Sequence, residues 1–344
     1  MMELFGKLLG SLKSFSYLYL MKLFNKPDER LHVITTHFNP KGYKRREQLT
    51  LEFMHYIAKE DNVKLWVVLC TLGGKTQPRV QNIHKDLTII HVTTTSEAWM
   101  KENLTNLAVS YLPSKAKYVA WIDADLKFER SDWVEATIKE LQNYQMVQLY
   151  SQIISLNPDG ELLGGAGRSF MAGYKKAYEL GKIVDRVCEY SDGVGSHLEW
   201  QGSPGGAWAA RIEVLRELPL IDYVIMGSAD YYMALALVGA FEEDKRVGYH
   251  PEYMKAILDW QEKAQKVVNK NIGYLKGLII HSWHGNFKDR GYDTRWKILV
   301  NNQFNPKTDI YYDYFGVLHL KHEKWRLRDD LRVYFSQRNE DSIG

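Results

Sequence analysis

Apolar positions along the first half of this chain fall into short runs, and longer amphipathic stretches separate them. Residues 31–36 form the first run, which reads as a strand closed by a polar turn at 37–42. Helical spacing follows over 45–59, a second strand is expected at 63–69 and a third at 87–92. Ser96 stands where it would cap a helix running toward Tyr111, before Pro113. A fourth apolar run, 118–122, ends abruptly at Asp123 and Asp125. Ser131, Asp132 and Trp133 open another helix, and 146–154 reads as one further strand. Alternation of this kind predicts an α/β fold: a doubly wound, Rossmann-like, mainly parallel sheet with flanking helices.

Residues 157–203 lose the alternation, and glycines cluster there, so long loops are expected. Order returns at Gly205-Gly206-Ala207-Trp208, a strand that enters a helix ending near Leu218. Gly227 and Ser228 open a further helix with Asp230 in its first turn. A polar helix spans about 252–268, and 274–280 reads as a last strand that runs into His281, Ser282, Trp283 and His284. The closing stretch, 321–344, reads as a helical extension.

The chain has 344 residues, 45% of them apolar, which suffices for one large domain with a full core. Aromatic residues reach 13%, with 22 Tyr and 10 Trp, enough to furnish stacking platforms for sugars or bases. A net charge of +3 gives no global nucleic-acid signature, although Lys41, Lys44, Arg45 and Arg46 form a local basic cluster. Two distant cysteines, Cys70 and Cys188, imply neither a disulfide framework nor a thiolate metal site, and fit a reducing, cytoplasmic compartment. Residues 4–24 are apolar but carry Lys7, Lys13 and Lys22, which argues against a membrane span and for a basic amphipathic segment. Such a segment would pack on the protein or a partner, or lie on an anionic membrane surface; no small-residue cleavage site follows it.

The chemistry concentrates at strand ends. Asp123 and Asp125 leave a buried strand at the sheet edge where open α/β folds bind ligands. Hard divalent ions take carboxylate oxygen together with substrate phosphates, so this pair suggests an ion bridging protein and a diphosphate. An imidazole would complete such a site, and His281 and His284 follow a strand. In extended chain their side chains would point to opposite faces, which favours His281, the direct continuation of the strand, as the ligand.

Taken in order, the Asp-x-Asp strand, Gly-Gly-Ala-Trp, Gly-x-x-Asp and His-x-x-His resemble a GT-A glycosyltransferase similar to family 2. Segments 118–128, 204–211, 227–239, 281–285, 295–299 and 334–341 resemble a group of such proteins in phages and large viruses. The resemblance covers roughly residues 30–340. It implies a GT-A domain over 30–320, with a nucleotide-sugar half at 30–156 and an acceptor half at 157–320, preceded by the segment 1–29 and followed by the tail 321–344. It implies that Asp125 ligates Mn²⁺ or Mg²⁺ bridging the diphosphate of a UDP- or GDP-type sugar, that Asp123 contacts ribose or metal, and that His281 is a further ligand. Thr36, His37 and Asn39 would border the nucleoside, Trp208 would join the donor site, and His284 and Arg290 would assist. Asp230 matches the acceptor-activating base of inverting members. Many members carry two acids there, whereas this chain has Ala229-Asp230, so the base assignment rests on Asp230 alone. A retaining enzyme would use Asp230 to orient the sugar instead.

The function implied is sugar transfer from a nucleotide sugar to a saccharide, glycoconjugate or lipid-linked hydroxyl. The basic cluster and a pI near 8.5 keep a second acceptor open, a hydroxymethylated base in phage-type DNA. A nucleotidyltransferase on the same sheet would leave Asp230 and His281 without a role. A non-catalytic glycan- or partner-binding module is the remaining alternative. If the chain is viral, its compartment is the host cytoplasm.

Overall fold

The computed structural model describes residues 27–73, 86–179, 202–241 and 246–343, with the backbone of 183–184 and 187–188. The amphipathic segment expected at 4–24 lies outside the described residues. Among those described, no helix is long and apolar enough to cross a membrane.

The first half alternates as its apolar runs predict: β1 (Asp28–Phe38), α1 (Lys44–Ile57), β2 (Val63–Leu72), β3 (Leu87–Thr94), α2 (Lys101–Tyr111), β4 (Ala116–Ile122), β5 (Leu126–Phe128), α3 (Trp133–Glu140), β6 (Met146–Gln148) and β7 (Gln152–Ser155). Next come β8 (Gly167–Arg168), α4 (Phe170–Glu179), and a two-strand ribbon of β9 (Ile183–Val184) and β10 (Val187–Cys188). Then follow β11 (Ala207–Arg211), α5 (Ile212–Glu217), α6 (Ala229–Val238), α7 (Pro251–Val267), β12 (Ile272–Tyr274) and β13 (Leu278–His281). The chain closes with α8 (Lys297–Asn301), the hairpin β14 (Ile310–Tyr312) and β15 (Leu318–Leu320), and α9 (Trp325–Gln337).

The central sheet has the order β12-β6-β11-β4-β1-β2-β3. Every neighbouring pair is parallel except those made by β11, which runs antiparallel to both β4 and β6. Its inner strands are buried on both faces, as strands of a covered sheet must be, and the edge strand β3 is half-exposed. Leu31, Val33, Leu65 and Val67 face a core shared with Phe53 and Met54 of α1 and Trp133 of α3. Ile34, Trp66, Val68 and Trp121 face the opposite core with Leu104 of α2, Tyr232 of α6 and Tyr253 of α7. Helices therefore cover both faces of a mainly parallel sheet.

Three expectations need correction. Residues 146–154 and 274–280 were each read as one strand, yet each divides between two sheets. β6 and β12 belong to the central sheet, while β7 and β13 lie in a second sheet of order β5-β13-β7-β8. The two breaks occur together: Gly277 O accepts from Ser151 N and Gln152 N at 2.9 and 3.1 Å. Ser96 caps no helix; α2 starts at Lys101, and the Ser96 hydroxyl instead accepts from Leu320 N at 2.8 Å. Within 157–203 the loops are interrupted by α4, whose Phe170, Met171 and Ala177 are buried.

Candidate active site

The turn after β4 carries the aspartates, and backbone hydrogen bonds hold it from both sides. Asp123 N donates to Gly206 O at 2.8 Å, and Leu126 N to Asp123 O at 3.3 Å. Immediately afterwards β5 pairs with β13, placing Leu126 opposite His281, and Ser282 N donates to Asp125 O at 2.8 Å. Asp125, in the turn before β5, and His281, at the end of β13, thus stand side by side.

His284 joins them. The strand stops at His281, and residues 282–284 follow outside any regular element. The expectation that the two rings point apart fails for that reason: strand alternation does not extend to His284. His284 Nε2 lies 3.0 Å from Asp125 Oδ2, His281 Nε2 lies 3.8 Å from it, and the two Nε2 atoms are 3.2 Å apart. One ligand atom from each residue falls within 4.8 Å of the others. Burial holds the His281 imidazole down to about 4 and lowers His284 as well, against the pull of Asp125, so both are neutral near pH 7. Burial alone would push Asp125 up, but His281, His284 and Arg290 around it hold its carboxyl well below the usual range.

These residues fit a divalent ion. Asp125 Oδ1 is buried and has no hydrogen-bond partner among the described residues, which is costly unless something fills its valence. Two neutral imidazoles and a carboxylate match an ion that accepts nitrogen. Mg²⁺ takes oxygen, so of the two expected ions Mn²⁺ suits the set better. Asp123 is not among the converging atoms; its Oδ1 is 2.6 Å from Lys101 Nζ, while burial pushes its carboxyl up against that pull.

Asp230 opens α6 beside this group. Its Oδ1 accepts from Tyr231 N at 2.9 Å, Ser228 before it is left-handed at φ 75°, and a Cβ on Gly205 would collide with its Oδ2. Glu102, 3% exposed, lines the same cleft; burial and Asp230 push it up, and Lys101 pulls it down, leaving it at about 8.

All of this opens into a cleft of about 1330 Å³, part of it continuous with solvent. Thr36 and Asn39 line it, although the Asn39 side chain is spent holding Tyr43 N and O at 2.9 and 2.8 Å. Arg290 and Arg295 also line it, 3% and 7% exposed. Neither forms an ion pair among the described residues, and each leaves Nε without a partner. Arg295 spans Tyr334 Oη and Ser228 Oγ, at 3.0 and 2.7 Å, and lies over Trp99 and Tyr292.

Two expected residues sit elsewhere. His37 is buried behind β1, its Nδ1 2.8 Å from Thr50 Oγ1, and does not reach the cleft. Trp208 is 5% exposed, donates to Pro204 O at 2.7 Å and lines a small inner pocket behind Asp230. The basic cluster turns inward: Lys41 pairs with Glu97 at 2.7 Å, Arg46 with Glu340 at 2.6 Å, and Arg45 donates to Trp283 O at 2.8 Å. Lys101, Glu102, Arg295, Arg338 and Glu340 also line the site, although none was expected as a site residue. Arg295, Arg338 and Glu340 fall in the resembling segments 295–299 and 334–341, whereas Lys101 and Glu102 lie outside them, and only tertiary structure brings those two in.

No family model and no curated protein matches the chain. Among solved structures it is similar to Staphylococcus aureus TarS 1–349 in complex with UDP-GlcNAc, at 12% identity and a TM-score of 0.40, over 75% of this chain. That match spans 59% of the TarS structure, less than two thirds of its length. It is also similar to the mannosyltransferase PcManGT from Pyrobaculum calidifontis in complex with GDP-Man and Mn²⁺, at 15% identity and a TM-score of 0.37, covering 84% of this chain and 68% of that one. A third, the 4-diphosphocytidyl-2C-methyl-D-erythritol synthase from Anaerococcus prevotii, matches at 10% identity and a TM-score of 0.33, covering 73% of this chain and 88% of that one. The fold class rests on the sheet order itself, an open, mainly parallel α/β sheet with its cleft at the strand ends.

Proposed function

We propose that this protein transfers a sugar from a nucleotide-diphosphate sugar to an acceptor hydroxyl on a saccharide or glycoconjugate, with inversion. The observation that carries the reading is the convergence of Asp125, His281 and His284 in a cleft also lined by Arg290 and Arg295, both buried and without an ion-paired acid among the described residues. Buried cations unpaired with protein acids call for an anion, and a diphosphate lying between ion and guanidiniums would satisfy both.

Asp125, His281 and His284 would hold Mn²⁺, which when bound supplies Lewis-acid neutralisation of the leaving diphosphate. Arg290 and Arg295 bind the diphosphate oxygens and orient them. Thr36 and the backbone near Asn39 border the nucleoside. Asp230 takes the acceptor proton as the hydroxyl oxygen bonds to the anomeric carbon and the bond to the diphosphate oxygen breaks. Lys101 holds Asp123 and keeps a positive charge between Asp123 and Asp230.

Isothermal titration with UDP- and GDP-sugars, with and without Mn²⁺, tests the reading. Binding that needs Mn²⁺, followed by slow release of nucleoside diphosphate, is expected. Asp125→Ala should abolish it and leave the fold intact, because the residue ends a turn at the cleft. Donor and Mn²⁺ uptake by Asp125→Ala at wild-type strength would remove the metal from the proposal. Binding without turnover under any acceptor would leave a non-catalytic module.

A further inference from the structure

Beyond α9 the chain folds back onto the site. A Cβ on Gly285 would stand 3.0 Å from Arg338 O, Asn339 O and Glu340 Cα, so this segment lies directly against the residue after His284. On the other side, Trp283 Nε1 donates to Ser342 O at 2.8 Å. Both chain neighbours of His284 are therefore gripped by residues 338–342. The grip is anchored in turn. Glu340, 1% exposed, accepts from Arg338 Nε and from Arg46 Nε and Nη2, each at 2.6 Å. Asp341 accepts the backbone N–H groups of Lys44 and Arg45 at the start of α1, at 3.1 and 2.8 Å.

A metal-ligating histidine usually has its ring fixed by a hydrogen bond from its other nitrogen. His284 Nδ1 is buried and has no such partner among the described residues. We propose that residues 338–342 replace that bond, with Glu340 as the positioning residue that holds the His284 loop in register with Asp125 for a divalent ion. The inference rests on the metal reading above and adds to it a segment remote in sequence.

Mn²⁺ titration and amide hydrogen exchange of the full chain and of Glu340→Gln test it. Loss of the carboxylate charge should weaken Mn²⁺ binding about 10–100-fold, the range for damage behind a ligand. Exchange across 282–286 should quicken while the central strands keep their protection. Asp28→Asn, which breaks the Arg30 pair at the far end of β1, serves as the stability control and should leave both readouts at wild type. Should Glu340→Gln fail to fold, a chain stopped after Asp341 removes Ser342 with its contacts to Trp283 and Asn339, keeps Glu340, and should move both readouts the same way. Unchanged Mn²⁺ affinity, unchanged exchange, or an equal loss in Asp28→Asn overturns the proposal alone. A wild-type chain that takes up no Mn²⁺ sinks the metal reading and this inference together.

Discussion

His281 and His284 approach Asp125 from one side, and each should contribute to ion affinity. Alanine at either position is expected to weaken Mn²⁺ binding by about 10–100-fold or more. Calorimetric titration of the two variants decides it, and wild-type affinity in His284→Ala would return that residue to a purely structural place. The pattern of residues made Asp123, Asp125 and His281 visible because each ends an apolar run. Strand alternation turns His284 away from His281, but it holds only in extended chain, and the strand ends at His281. Arg295 and Glu340 fall in segments singled out by the resemblance, but no chemistry in their spacing gives them a role. Only their burial in the cleft does.

Where β11 begins and α6 begins, two elements meet across one side chain. Gly205 leaves the space that Asp230 Oδ2 occupies, so Gly205→Ala would push the carboxylate aside at its flexible end. Transfer should fall in Gly205→Ala as it falls in Asp230→Asn, by ~10²–10⁴ for a lost general base, while donor binding persists in both. Single-turnover rates beside donor titrations check this. Transfer by Asp230→Asn within a few-fold of wild type would leave the inverting mechanism without its base. At this scale the elements of the first half were legible because β1, β2 and β4 are apolar on both faces and bounded by polar turns. The split of β6 from β7 and of β12 from β13 was not. Each run is interrupted only briefly, at Ser151-Gln152 and at Lys276-Gly277, and Leu149, Tyr150 and Leu275 just before those breaks are buried like strand residues. α4 escaped notice among glycines, though Phe170, Met171, Tyr174 and Ala177 repeat with helical spacing.

Across the whole molecule, buried histidines set the response to acid. Burial holds His32 and His37 down to about 4, from an ordinary value of 6.5. Between those values the unfolded chain binds protons that the folded chain refuses, so stability is complete above pH 6.5 and is lost as pH falls toward 4. Each shift corresponds to on the order of 3 kcal/mol. Asp28, held down to about 2 by Arg30, extends the loss below pH 4. Glu102 works in the other direction, since its raised value favours the fold in acid and opposes it as pH climbs through about 8. Between pH 6.5 and 5 the two histidines outweigh Glu102, so urea midpoints should drop over that window, and His37→Asn should flatten the slope. A slope unchanged in His37→Asn would mean that this ring is not kept neutral by burial.

The contacts that tie Tyr43, Lys44 and Arg46 to Phe335, Asp341 and Glu340 bridge 292–297 residues. During synthesis at ~5–20 residues per second, roughly 15–60 s pass between the emergence of α1 and the appearance of its partners. Through that interval the first amides of α1 lack their acceptor, and the loop of His284 lacks one wall. If residues 338–342 hold the loop of His284 as proposed, a nascent chain of this protein would carry both imidazoles and Asp125 and still fail to retain an ion. Competence would then arrive abruptly, late in translation, rather than growing with chain length.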